Sequence, residues 1–117
     1  MKILAVGSEA RTRKYLPDLP IAREVDLVCS ERGVANDDLL AAAPDADVIV
    51  ADAISPVDMR LIEAMPNLKL IHSEGVAFNA IDVEAARARG IAVCNCAGVN
   101  AGTVAEQAVM LMLMCLR

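Results

Sequence analysis

Aromatic residues are almost missing from this 117-residue sequence: there is no Trp, one Tyr and one Phe, 2% of the chain in all. An interior therefore has to be filled by Ala, Val, Ile, Leu and Met, within a composition that is 56% hydrophobic. With 23% charged residues the chain reads as globular rather than disordered, and its length suits one domain. Positive charge is also scarce. Eleven Lys and Arg face sixteen Asp and Glu, a net charge of −5. That balance argues against a nucleic-acid backbone as partner, which calls for a basic patch.

No apolar stretch approaches the roughly 20 residues that span a bilayer, so no membrane partner is expected. The apolar run at residues 1–6 is too short for a signal peptide, and Glu9, Arg11 and Arg13 follow it at once. Cys29, Cys94, Cys96 and Cys115 are therefore expected as free thiols in a reducing, cytoplasmic compartment. Paired zinc-binding cysteines are usually separated by about two to four residues, whereas Cys94 and Cys96 have one between them, so no metal site is expected even with His72 counted.

Several motifs are missing too. No G-x-G-x-x-G follows a strand-like run, so the chain carries no dinucleotide fingerprint, and there is neither a P-loop nor a nucleophile elbow. A phosphoryl-accepting receiver domain would use Asp52 but needs an acidic pair where this chain has Gly7 and Ser8.

Short apolar runs alternate with helical patterns from end to end. Strands are expected at residues 2–6, 25–29, 47–51, 68–71 and 91–94. The third, apolar nearly throughout, reads as covered on both faces. Helices are expected at residues 10–16, ended by Pro17, and from Asn36, a capping residue with Asp37 and Asp38 behind it. A third starts at Ser55 and Pro56, with Ser55 as the cap. Asp82 caps the fourth, which Gly90 ends, and the last begins near Asn100. The fold class is α/β, a flavodoxin-like parallel five-stranded sheet with helices on both faces.

From Ala108 to Leu116 nine apolar residues follow one another. A helix with no polar face must be buried all round or meet a partner, and nine residues cannot cross a membrane. One face is expected to pack on the sheet and the other to form an interface. The pattern is still running at Arg117, which predicts a helix leading into a further domain or dimerising with its copy.

The segment IHSEGVAFNAID, residues 71–82, joins the fourth strand to the fourth helix and holds the sole His and sole Phe. Gly75 leaves room for a ligand, and the N–H groups of residues 75–77 could face an anion such as a carboxylate, although Glu74 opposes this unless its side chain points away. A tight turn serves equally well as an explanation. His72 has no identifiable acidic partner and reads as a hydrogen-bonded structural residue. Phe78 is either a core filler or a cap over a pocket.

The strings PNLKLIHSEGVAFNAIDVEAARARGIAVCN (residues 66–95) and GVNAGTVAE (residues 98–106) resemble the D-isomer-specific 2-hydroxyacid dehydrogenases. The resemblance implies an oxidoreductase that uses NAD or NADP to move a hydride to or from a small 2-hydroxy/2-keto acid. It further implies that residues 1–99 are the first segment of a substrate domain and that residues 100–117 form an interdomain and homodimer helix leading to a nucleotide-binding domain. By the same resemblance, Glu74, Gly75, Val76 and Ala77 bind the substrate carboxylate through the backbone, and Val76 and Val104 lie near the nicotinamide. The family's catalytic Arg, Glu and His have no counterparts here, so the 117-residue chain alone is expected to be inactive.

This sequence departs from the family's loop, which usually reads Gly-x-Gly then Asp-Asn, in having Ala77 and Asn79-Ala80. Ala51 and Ser73 stand where phosphoglycerate-type members carry arginines, which disfavours a phosphorylated substrate. The alternative is a stand-alone binding or dimerisation module that kept the fold without the chemistry.

Overall fold

Each aliphatic run becomes a short strand because β-branched and small residues fit a pleated ladder, and polar caps separate the runs. The computed structural model describes residues 1–15 and 20–116. Strands β1 (Lys2–Gly7), β2 (Asp26–Glu31), β3 (Val48–Ala51), β4 (Leu70–Ser73) and β5 (Ala92–Cys94) form one parallel sheet in the order β2-β1-β3-β4-β5. Helices α1 (Glu9–Tyr15), α2 (Asn36–Ala42), α3 (Met59–Ala64), α4 (Val83–Ala88) and α5 (Ala101–Cys115) follow the strands in turn. A 3-10 turn at Pro20–Glu24, absent from the sequence reading, precedes β2. The expected end of the first helix, at Leu16 and Pro17, lies outside the described residues.

This strand order reverses direction between β1 and β3, and in such sheets ligands bind beyond the carboxyl ends of the strands at the reversal.

The core lies under α2, α3 and α4. Leu4, Val6, Ile49, Ala51 and Ile71 point into it from the sheet, and Leu39, Leu61, Ile62 and Ala86 meet them from the helices. The alternate strand residues, Val48, Val50, Leu70 and His72, are only half-buried. The expectation that β3 is covered on both faces is thus corrected: Val48 and Val50 stay half-buried, and among the described residues α5 buries nothing against them. Helix α5 was expected to pack there by one face. Instead none of its residues is buried, and Val109, Met110, Leu111, Met112, Leu113 and Met114 are all exposed.

Three local boundaries also differ from the expectations, each for a backbone reason. The third helix begins at Met59, not Ser55. Val57 pairs with Ile81 in an isolated bridge that holds it out of the helix, and Asp58 is the cap, accepting from the Leu61 N–H at 2.9 Å. Asn36 is the first helical residue rather than the cap, since α2 is preceded by Ala35 and has no side-chain cap. β4 runs two residues further than expected, so that His72 and Ser73 belong to the strand, in register with Val50 and Ala51. The Asp82 cap is as expected, accepting from Ala85 N–H at 2.9 Å, and Gly90 closes α4 with a φ of 69°.

Candidate functional site

The loop after β4 is fixed by its carbonyl groups. The Gly75 carbonyl accepts from the Cys96 N–H at 2.9 Å, the Val76 carbonyl from Asn95 Nδ2 at 2.6 Å, and the Ala77 carbonyl from Ser73 Oγ at 2.6 Å. Three successive C=O groups are therefore tied back onto β4 and the segment after β5. The far end is held by the Val57–Ile81 bridge, with Val57 N–H donating to Ala80 and Asp82 N–H donating to Val57.

The N–H groups divide differently. Glu74 N–H completes the ladder by donating to Ala51 at 2.8 Å, and Gly75 N–H makes a long contact of 3.4 Å with Ser73 Oγ. Val76 and Ala77 N–H have no acceptor among the described residues. Both residues are exposed, so these N–H groups are open to water or to a ligand on a braced loop at the carboxyl edge of the sheet, as are those of Phe78 and Asn79 next to them. Of the four residues singled out from sequence, Glu74 cannot offer its amide, Gly75 offers little, and Val76 and Ala77 remain.

Gly75 is required for space rather than for an unusual backbone angle: a Cβ there would sit 2.7 Å from the Ala53 Cβ. The loop is consequently pressed against the turn after β3.

Beside it lies a recess of about 220 Å³ at the reversal point, lined by Arg11, Arg32, Asp52, Ala53, Glu74 and Gly75. Glu74, the charge that opposed anion binding, forms an ion pair with Arg11 of α1. Arg32, just after β2, pairs with the buried Asp52 at 2.5 Å. Neither arginine was singled out from sequence, because each comes from an element distant in the chain and is brought here only by strand order.

Asp52 also accepts from the N–H groups of Ser55 at 2.7 Å and Ile54 at 3.2 Å, so it shapes this turn instead of serving as a phosphoryl acceptor. Burial pushes its carboxyl up, but Ser55, Arg32 and the Ile54 N–H outweigh burial and hold it below the ordinary carboxylate value. A depressed native value stabilises the fold above the unfolded value of about 4, and that stability is lost as the pH falls through the native value. Asp52→Asn is accordingly expected to cost about 1–3 kcal/mol at neutral pH, with the difference from the parent closing as the pH falls below about 4. Urea midpoints measured across pH test this, and parallel curves for the two proteins would contradict it.

The remaining sequence-derived residues are placed as follows. His72 is half-buried between two cysteines, with Nδ1 3.1 Å from Cys94 Sγ and Nε2 3.9 Å from Cys96 Sγ. The sulfurs approach different edges of the ring, so the three groups share no common point at which an ion could sit. Phe78 is half-exposed and lines a groove of about 240 Å³ with Val83, Val93, Cys94 and Asn95, so it is not a core filler. Val76 and Val104 are both exposed. Asn95 was missed, although its place next to β4 follows once β5 is put at that edge.

The geometry can be set against known proteins. Residues 3–110 match the profile of the D-isomer specific 2-hydroxyacid dehydrogenase, catalytic domain. A hydroxypyruvate reductase from Thermotoga maritima is 38% identical, over 92% of this chain and 38% of the relative. The NAD-dependent formate dehydrogenase from Staphylococcus aureus, solved with NAD, superposes with a TM-score of 0.79 at 30% identity, over 97% of this chain and 38% of that one. The NADPH-dependent glyoxylate/hydroxypyruvate reductase of Sinorhizobium meliloti, solved with NADP and malonate, gives 0.74 at 30% identity, over 96% of this chain and 33% of that one. The chain thus spans about a third to two fifths of the length of these relatives. Among the described residues no helix is long and apolar enough to cross a membrane. With nearly its whole length inside the match, the chain belongs to the D-isomer specific 2-hydroxyacid dehydrogenase family, in the part that forms the catalytic domain.

Proposed function

We propose that this chain forms the substrate-binding part of an NAD(P)-dependent oxidoreductase acting on a small 2-hydroxy/2-keto acid. The observation that carries the reading is the pair of unpartnered N–H groups at Val76 and Ala77. A carboxylate accepts from two adjacent amides, and a loop whose carbonyls are already tied down loses little entropy in presenting them. Held in this way, the acid has its C2 fixed in space, a positioning contribution to rate.

When bound, the nicotinamide supplies or accepts the hydride. No glycine-rich fingerprint to hold the dinucleotide is present among these residues. Their share is limited to Val76 and Val104, two exposed apolar side chains suited to border a nicotinamide ring.

Residues 1–99 act as the first segment of the substrate domain in this reading. Residues 100–117 run between domains and into a homodimer in a reducing, cytoplasmic setting. The exposed apolar side chains along α5 support this, because a contiguous apolar patch is normally covered. The substrate has a small tail without phosphate, such as glyoxylate or hydroxypyruvate. Arg11 and Arg32 are each neutralised by a carboxylate, so the recess offers no spare cation for a phosphate.

The test has two arms. Titrating the 117-residue chain with glyoxylate is expected to move the Val76 and Ala77 amide resonances, with affinity on the order of millimolar. The same chain is expected not to oxidise NADH with glyoxylate or hydroxypyruvate, whereas the product of the intact gene does. Silence of both amides, or turnover by the 117-residue chain, overturns the reading. Helix α5 also favours the second reading, a dimerisation module without chemistry. Dimerisation in sedimentation, combined with silent amides and an inactive intact product, would support that reading.

A further inference from the structure

The Cys94–His72–Cys96 cluster takes no part in the proposed hydride chemistry. β4 and β5 place His72 and Cys94 directly in register, and the chain turns after β5 so that Cys96 reaches the other edge of the same imidazole. One proton arrangement satisfies all the contacts. Cys94 Sγ–H donates to Nδ1, Nε2–H faces Cys96 Sγ, and Cys96 Sγ–H donates to the Ser73 carbonyl at 3.8 Å. Cys94 is exposed and Cys96 half-buried, so the first thiol is the more open to a small oxidant.

We propose that Cys94 and Cys96 form a peroxide-oxidised dithiol in which His72 is the base for Cys94. The thiolate is the reactive form of a cysteine, and His72 Nδ1 receives its proton. The Cys94 sulfur attacks one oxygen of hydrogen peroxide; an S–O bond forms, the O–O bond breaks, and the departing hydroxide takes the proton from His72 to leave as water. The Cys96 sulfur then attacks the Cys94 sulfenic acid, forming an S–S bond and breaking the S–O bond. The second hydroxide takes the Cys96 proton and leaves as water. Two thiols lose two electrons in all, and one peroxide becomes two waters.

Closure requires movement: the two sulfurs lie at different edges of the imidazole, so the segment after β5 has to swing Cys96 towards Cys94 before the bond can form. Closure is centred on Asn95, which braces the Val76 carbonyl, so oxidation acts on the loop described above. The other two cysteines lack this arrangement. Burial pushes the Cys29 thiol up, which keeps it protonated. Cys115 is exposed on α5 and has no histidine beside it, since His72 is the sole one in the chain. At protein concentrations low enough to keep α5 uncovered, Cys115 therefore serves as an internal control.

The experiment is dilute hydrogen peroxide added to the 117-residue chain, quenched over time and mapped by peptide mass spectrometry. Cys94 is expected to oxidise about tenfold faster than Cys115 and to appear as a Cys94–Cys96 disulfide that dithiothreitol reverses. With Cys96→Ser, Cys94 is expected to stop at a sulfenic acid trapped by dimedone. With His72→Gln, the Cys94 rate is expected to fall to that of Cys115 while the Cys115 rate stays unchanged. Equal rates at the two sites in the parent chain, or oxidation of Cys94 without a bond to Cys96, would overturn the proposal. These readouts need neither substrate nor cofactor, so they succeed or fail independently of the proposed dehydrogenase activity.

Discussion

Gly75→Ala is expected to lower kcat/KM for a 2-keto acid by on the order of 100-fold in the intact enzyme, because a displacement near 1 Å at a positioning group costs about that much. The cause is steric. The new methyl group would lie 2.7 Å from the Ala53 Cβ, while carbon atoms in contact settle at about 3.5–4.0 Å. Neither partner is the end of a flexible chain. The strain therefore falls on the loop backbone, and the Val76 and Ala77 amides move with it. Stability is expected to fall as well, by about 1–3 kcal/mol, since the half-buried loop has to absorb the overlap. Ala53→Gly in the same protein removes the opposing carbon and is expected to restore most of the activity. A Gly75→Ala enzyme with unchanged kcat/KM would refute this account, as would a defect that Ala53→Gly leaves untouched.

The legible parts of the fold were those set by local chemistry. The strand positions came from short apolar runs, the start of α4 from Asp82 and its end from Gly90, each a residue whose preferred role is decided within a few neighbours. The misplaced start of α3 shows where such signals stop. Ser55 and Pro56 carry a proper helix-start pattern, yet the bridge between Val57 and Ile81, residues 24 positions apart by number, holds Val57 and delays the helix to Met59. Propensity is a weak prior against a tertiary pairing.

For the proposed site, residues 74–77 were singled out through likeness to a family. The split between bonded and unbonded amides could not be read that way, because it depends on Cys96, Asn95 and Ser73 tying down three carbonyls. Arg11, which neutralises the troublesome Glu74, comes from α1 and is visible only once β1 and β4 are known to flank β3.

Ile71→Ala should destabilise the fold by about 2–5 kcal/mol, whereas Leu113→Ala, a comparable loss of aliphatic volume, should cost less than about 0.5 kcal/mol in dilute solution. Ile71 lies in the middle of β4, fully buried and in register with Ile49 on one side and Val93 on the other. Its truncation leaves a cavity that the flanking strands cannot close without breaking the ladder. Leu113 is 60% exposed on α5 and loses few contacts. A stability of roughly 5–15 kcal/mol is usual for a domain, so the first change consumes a large fraction of it and the second almost none. Urea unfolding measured at several protein concentrations decides the matter. A Leu113→Ala penalty that grows with concentration identifies α5 as an interface between copies, through mass action. A large penalty already present at the lowest concentration would mean that α5 packs within its own chain, and the exposed helix on which the proposed interdomain role depends would have to be given up.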